Sequence, residues 1–205
     1  QQQAEHEPER DQQEELAVVE AEVIADVRRE QRERPLVGLV HRGTISGSMA
    51  KEVFEGMGIY RYGRRTLTGW REPAAVQVGR TSADFLPILG VNPIVGRIFT
   101  KAEDREGGPL TAILSEPFFK SRFGGDQSVI GKTIVLHRVP HVVVGVVPNT
   151  VALGSRVEVW VPLAWTAEQR AVRANHNYSG IAKLKPGISV ERAQADMTAI
   201  AKRLE

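Results

Sequence analysis

The chain is 205 residues long, enough for one large domain or two small lobes with a real core, and its 41% apolar and 25% charged composition is ordinary for a globular protein. No run approaches the roughly 18 uninterrupted apolar residues of a membrane-spanning helix, and the absence of cysteine excludes disulfides and thiolate metal sites. The formal net charge of +2 joins unlike parts: residues 1–34 carry eleven acidic and five basic side chains, the remainder fourteen acidic and twenty-two basic.

Residues 1–11 (QQQAEHEPERD) are polar and charged, a composition that predicts disorder. From Gln12 to Arg34 a helix is expected. Leu16, Val19, Val23, Ile24 and Val27 recur at three- and four-residue steps, arginines close the segment, and Pro35 stops it. Leu36–Val40 reads as a strand. Gly43, Gly47 and Gly56 punctuate a loop-rich stretch around a short helix, Ser48–Phe54.

Ala74–Thr81 alternates as a strand, and Ser82 is placed to cap a short helix, Ala83–Leu89, ending at Gly90. Pro93 and Gly96 carry the chain through an extended turn. Leu110–Ser115 reads as a strand and Glu116–Phe123 as a helix, with Pro117 tolerated in its first turn and Gly124-Gly125 ending it. Thr133–His137 and His141–Val147 form a predicted hairpin around Arg138-Val139-Pro140. Strands follow at Val157–Val161 and His176–Lys185. Pro186-Gly187 then turns into a final helix, Ser189–Glu205, capped by Ser189, with Ala193, Met197, Ile200 and Leu204 on its apolar face. Strands and helices interleave without regular βαβ units, so the class is α+β.

The candidate chemistries resolve into structure. GGDQSVIGKT imitates a phosphate-binding loop, but the first glycine of the motif would fall at Asp126, and a helix precedes the loop where a strand is required. His137 and His141 flank the predicted hairpin turn, yet two imidazoles without a third ligand make no zinc site. The hydrolase elbow Gly-x-Ser-x-Gly is missing around Ser115 or elsewhere. Glu103, Asp104 and Glu106 sit in one turn, where Thr100 and Glu103 fit a capping box, so their role is structural. Trp70, Phe85, Phe99, Phe118, Phe119, Phe123, Trp160 and Trp165 lie in or beside apolar runs and read as core. Arg61, Arg64, Arg65, Arg71, Arg80 and Arg97 are scattered rather than stacked on one face, which points to a solvated basic surface and not to nucleic acid.

One series of segments carries more than composition does. FLPILGVNPIVGRIFT (85–100), AILSEPFFKSRFGGD (112–126), SVIGKTIVL (128–136), HVVVGVVP (141–148), VEVWVPL (157–163) and AKLKPGISVERAQADM (182–197) occur in order. Together they resemble the extracytoplasmic core domain of MacB-like ABC-transporter permeases, the class that carries an FtsX-like membrane part. The resemblance runs from about Phe54 to Glu205 and leaves residues 1–34 unmatched.

The resemblance implies a two-lobed MacB-like periplasmic domain over residues 35–205. One porter-like lobe would be built from both chain ends, about 35–80 and 165–205, with a β-rich lobe inserted at about 81–164. It also implies a non-catalytic domain on the extracytoplasmic face of a bacterial membrane, coupling ATP hydrolysis elsewhere to export or other extracytoplasmic work. Its partners would be membrane helices of its own chain, an ABC ATPase, an adaptor or exported substrate, and a second copy. No catalytic, cofactor or metal residue is assigned. The chain has no basic-then-apolar leader and does not begin with Met, so it is expected to be a soluble piece of a longer protein. The rival expectation is a free-standing α+β binding or enzyme domain that uses its basic surface for an anionic ligand.

Overall fold

The computed structural model describes residues 21–23, 36–39, 52–149, 156–171 and 178–202. Among these residues ten strands make one sheet: β1 (Ala21–Val23), β2 (Leu36–Leu39), β3 (Phe54–Thr68), β4 (Ala74–Thr81), β5 (Val95–Gly96), β6 (Thr111–Ser115), β7 (Thr133–Leu136), β8 (Val139–Val147), β9 (Val159–Pro162) and β10 (Ser179–Leu184). Their order is β1-β2-β10-β3-β4-β9-β6-β8-β5, with β7 pairing both β3 and β8. The β4–β9 and β6–β8 pairs are parallel and the others antiparallel. Among the described residues four α-helices accompany the sheet: α1 (Phe85–Ile88), α2 (Glu116–Phe123), α3 (Ala167–Ala171) and α4 (Val190–Lys202). Helices and strands on one mixed sheet make the predicted α+β class.

Both faces of the sheet are covered, which explains its uninterrupted apolar runs. All five residues of β6 are buried. Ile113 joins a cluster with Phe85, Leu86, Val147 and Trp160 under α1. Its neighbour Leu114 points the other way, toward Leu67, Val76 and Val159 and the aromatics Phe118, Phe119 and Phe123 of α2. A third cluster packs Ala193 and Met197 of α4 on Phe54, Ala182 and Leu184. By strand alternation Ala182 lies on the face opposite Ile181, and Ile181 belongs to the α1 cluster. Hence α4 and α2 share a face, and α1 takes the other.

Several local signals were decisive. Strand β4 and helix α2 occupy the residues predicted for them. Gly124 ends α2 at φ 69°, a left-handed C-terminal position that favours glycine. Ser189 caps α4, its hydroxyl accepting from the Arg192 N–H at 3.2 Å.

Other expectations need correction. Residues 21–23 are strand β1, paired with β2, not helix. There Val19-Glu-Ala-Glu-Val23 alternates with a period of two, and this pairing outweighs the weaker helical spacing. The other residues of the expected 1–11 disordered and 12–34 helical segments lie outside the described residues, as do 48–51 of the short helix. Phe54 opens β3 instead of closing that helix. Helix α1 begins at Phe85, two residues late, because Ser82 serves elsewhere: its hydroxyl accepts from the Ile59 N–H at 3.0 Å and ties α1 to β3. The hairpin turns at His137 and Arg138, with φ 49° and 68°, the two left-handed residues a two-residue turn needs. Val139 and Pro140 are already in β8, with Pro140 opposite Val135.

Candidate functional site

The acidic turn 103–106 is a junction of four segments. Glu103, only 4% exposed, receives both terminal nitrogens of Arg97, at 2.9 and 2.7 Å, and the N–H and hydroxyl of Thr100, at 2.7 and 3.0 Å. Asp104 accepts from the amides of Ala83 and Ala164, at 2.8 and 2.9 Å, and Glu106 accepts from the amide of Ala167 at 2.9 Å. The turn thus pins β5, the approach to α1, the segment after β9 and the start of α3. Half of the predicted capping box is present: Glu103 accepts from the Thr100 N–H, whereas the Glu103 N–H goes to the Thr100 carbonyl and not to its hydroxyl. Asp104 and Glu106 extend the turn by long-range bonds that sequence could not indicate.

Burial by itself raises the pKa of Glu103, but the Arg97 guanidinium and the two Thr100 donors outweigh it and the net shift is downward. A lowered folded-state pKa means that this stabilisation is fully present above the unfolded value, about 4.3. It is lost as pH falls through the folded value. Glu103→Gln is therefore expected to cost about 1–3 kcal/mol at pH 7. It should also flatten the acid limb of stability below pH 5, as read by urea melts at stepped pH. An unchanged acid limb would show that the pair contributes nothing.

The rejected phosphate loop is a 3-10 turn, Gln127–Val129, between α2 and β7, in which Asp126 accepts from the Ser128 N–H at 2.8 Å. The two histidines do not face one another. His137 sits in the turn itself, while His141 lies across from Ile134. Ser115 is buried at the junction of β6 and α2. Seven of the eight aromatics pack in or against the cores: Phe85, Phe99 and Trp160 in one, Phe118, Phe119 and Phe123 in the other, and Trp70 against Phe123 at 5.1 Å. Trp165 stands edge-on to Tyr178, with centroids 4.9 Å apart.

The arginines are where sequence reasoning fell short. Along one face, β3 presents Met57 to the α4 cluster, then Arg61, Gly63 and Arg65, and then Leu67 to the α2 cluster. Arg80 of β4 lies directly opposite Arg61, Val78 opposite Gly63 and Val161 of β9 beside Arg80. Between the two helix-covered regions these residues line a cavity of about 300 Å³. Leu136, Val139 and Leu110 add apolar wall, and His137 and His141 close it from the hairpin. The three arginines are half-buried rather than scattered on a solvated surface. The signal available in sequence was the period-two spacing Arg61-x-Gly63-x-Arg65, visible only once 54–68 is read as a strand.

Arg80 donates to the Leu163 carbonyl. Burial lowers its pKa; Tyr178 opposes this, and Arg61 and Arg65 push further down against a small effect of Asp104. Arg61 lies 5.3 Å over the Tyr178 ring, with a nitrogen 3.5 Å from its hydroxyl. Arg65 donates to the Arg64 carbonyl at 2.9 Å. His141 Nδ1 lies 2.9 Å from the Val139 carbonyl, and burial, reinforced by Arg80, lowers its pKa and favours the neutral ring. The arrangement offers positive charge beside apolar wall, and no nucleophile with an adjacent base. Among the described residues there is no cluster of three or more metal-ligating side chains and no helix long and apolar enough to cross a membrane.

Comparison with known proteins agrees with this architecture. The family model described as MacB-like periplasmic core domain matches residues 11–200, reaching well into the stretch that the sequence reading left unmatched. Among solved structures, the fold is similar to the periplasmic region of MacB from Actinobacillus actinomycetemcomitans, at 16% identity and a TM-score of 0.61, covering 79% of this chain and 75% of that one. It is also similar to the extracellular domain of the noncanonic ABC-type transporter YknZ from Gram-positive bacteria, at 16% identity and a TM-score of 0.54, covering 76% and 79%. At such identities the likeness is one of fold. No curated protein matches.

Proposed function

This chain belongs to the MacB-like periplasmic core domain family, and from that premise we propose that it is the extracytoplasmic coupling domain of an ABC-transporter permease. In this reading it performs no chemistry of its own. Membrane helices of the same polypeptide flank it, an ABC ATPase on the cytoplasmic side drives it, and two copies work together. An adaptor or the exported substrate meets its outer surfaces.

One observation carries the mechanical part. Strand β2, from the beginning of the chain, is hydrogen-bonded alongside β10, which runs through the Pro186-Gly187 turn into α4. A displacement imposed through both flanks therefore enters the sheet at one strand pair. The strands from 36–81 and 179–184 are neighbours in the sheet, and so are β9, β6, β8 and β5. In this reading the first group belongs to the porter-like lobe and the second to the inserted lobe. They meet at the parallel β4–β9 pair and at the far end of β3, which pairs β7. A movement between lobes would bend the sheet at that seam.

The chain contains no cysteine, so Glu191→Cys on α4 and Lys120→Cys on α2 provide two unique labels within it. In the complete permease, the distance between spin labels at these sites is expected to differ between nucleotide-free and vanadate-trapped states. Identical distributions in the two states would contradict motion between the lobes.

A further inference from the structure

We propose that the cavity between α2 and α4 binds an amphiphilic anion, an oxyanion head such as a phosphate or carboxylate carried on a single apolar chain. The first argument is charge without compensation. Arg61 and Arg80 are directly opposed on antiparallel strands, where like charges repel, and Arg65 follows on the same face. The bonds these guanidiniums make are to the Leu163 and Arg64 carbonyls and the Tyr178 hydroxyl. Among the described residues none of the three is in a salt bridge. Asp104, whose field reaches Arg80, has its two oxygens engaged on the amides of Ala83 and Ala164. An oxyanion would relieve the repulsion and use planar donors suited to it.

A second, independent argument is the wall. Val78, Leu136 and Val161 form apolar floor beside the arginines, while Leu110 and Val139 line the opening with 47% and 40% of their surface exposed. Apolar side chains left open at the mouth of a basic cavity suit a ligand that is apolar behind its charge. A volume of about 300 Å³ is at the small end for ligand sites, room for a headgroup and a short length of chain. The space exists partly because position 63 is glycine: a Cβ there would meet only an Arg65 nitrogen, at 3.6 Å.

The test is calorimetric titration of the 205-residue chain with octyl phosphate below its micelle concentration, alongside inorganic phosphate and octanol. Octyl phosphate is expected to bind at least about tenfold tighter than either, since a hydrogen-bonded charge and buried methylenes each contribute at least that factor. Arg65→Gln removes a charge whose only hydrogen-bond partner among the described residues is its neighbour's carbonyl, and Gly63→Leu fills the space beside Arg65 while leaving every charge in place. Each is expected to weaken octyl phosphate about tenfold or more, with circular dichroism and melting confirming that the variants fold. Equal binding of inorganic phosphate would overturn the apolar part of the proposal, and equal binding of octanol the anionic part. Absence of binding, or wild-type affinity in both folded variants, would overturn it entirely.

Discussion

Trp160→Ala is expected to cost about 3–5 kcal/mol, the range for emptying a buried tryptophan site. Trp160 is 2% exposed and sits on β9 opposite Gly79 of β4. Its ring packs 5.6 Å from Phe85 and 6.3 Å edge-on to Tyr62, centroid to centroid. The indole occupies the space where a side chain at Gly79 would begin: a Cβ there overlaps its six-membered ring. The strand pair it fills is the seam between the two strand groups. For a chain of this size the shift in Tm is roughly 2–4 °C per kcal/mol, and urea melts give the free energy directly. Gly79→Ala supplies a cycle: destabilising alone, it is expected to be nearly neutral once Trp160 is alanine. A cost below about 1.5 kcal/mol for Trp160→Ala would remove the ring from its assigned role.

Gly145→Ala should be nearly as damaging, by a different route. Here the added Cβ meets backbone rather than a movable side chain: it overlaps the Arg97 carbonyl oxygen and lies 3.0 Å from the carbonyl carbon. Strand β5 must then separate from β8, breaking the bonds from Ile94 N–H to the Val146 carbonyl, at 2.7 Å, and from Arg97 N–H to the Val144 carbonyl, at 2.9 Å. Because Arg97 also holds Glu103, the acidic junction loosens with it. Overpacking of this kind costs about 1–3 kcal/mol and sometimes more. Hydrogen exchange is expected to show lost protection at Ile94 and Arg97, while Leu114 and Val159 keep theirs. Uniform loss across the sheet would instead mean that β5 is no separate edge.

The elements legible in sequence were those whose causes are local. Strand β4 alternates, α2 carries Pro117 at its start and two glycines at its end, and α4 has a serine cap. Strand β3 was not legible, although it is the longest element described. Gly56 read as loop punctuation, whereas it and Gly58 answer to tertiary crowding. A Cβ on Gly58 would come within 2.7 Å of the Phe85 Cα, and one on Gly56 within 3.2 Å of Ile88.

Missing β3 also hid the basic cavity. Arg61, Gly63 and Arg65 fall together on one face only in an extended chain, and Arg80 joins them through strand register. The hairpin was recognised but its turn was placed one or two residues late, since Pro140 is a stronger local signal than a His-Arg pair at positive φ. The likeness to MacB-like domains was readable from the ordered segments after Phe54. The family match to residues 11–200 extends it to the stretch containing β1 and β2, where charged residues obscured the pattern.

The account rests on this domain lying on the extracytoplasmic side of the membrane, and a single label tests that most directly. Lys101 is 83% exposed, with a long 3.9 Å ion pair to Asp84, itself 55% exposed, so Lys101→Cys should disturb little. In the complete membrane protein, a membrane-impermeant maleimide added to spheroplasts is expected to label Cys at position 101 before lysis. In inside-out vesicles the same position is expected to stay protected until detergent is added. Labelling confined to inside-out vesicles would place the domain in the cytoplasm and contradict the proposed function.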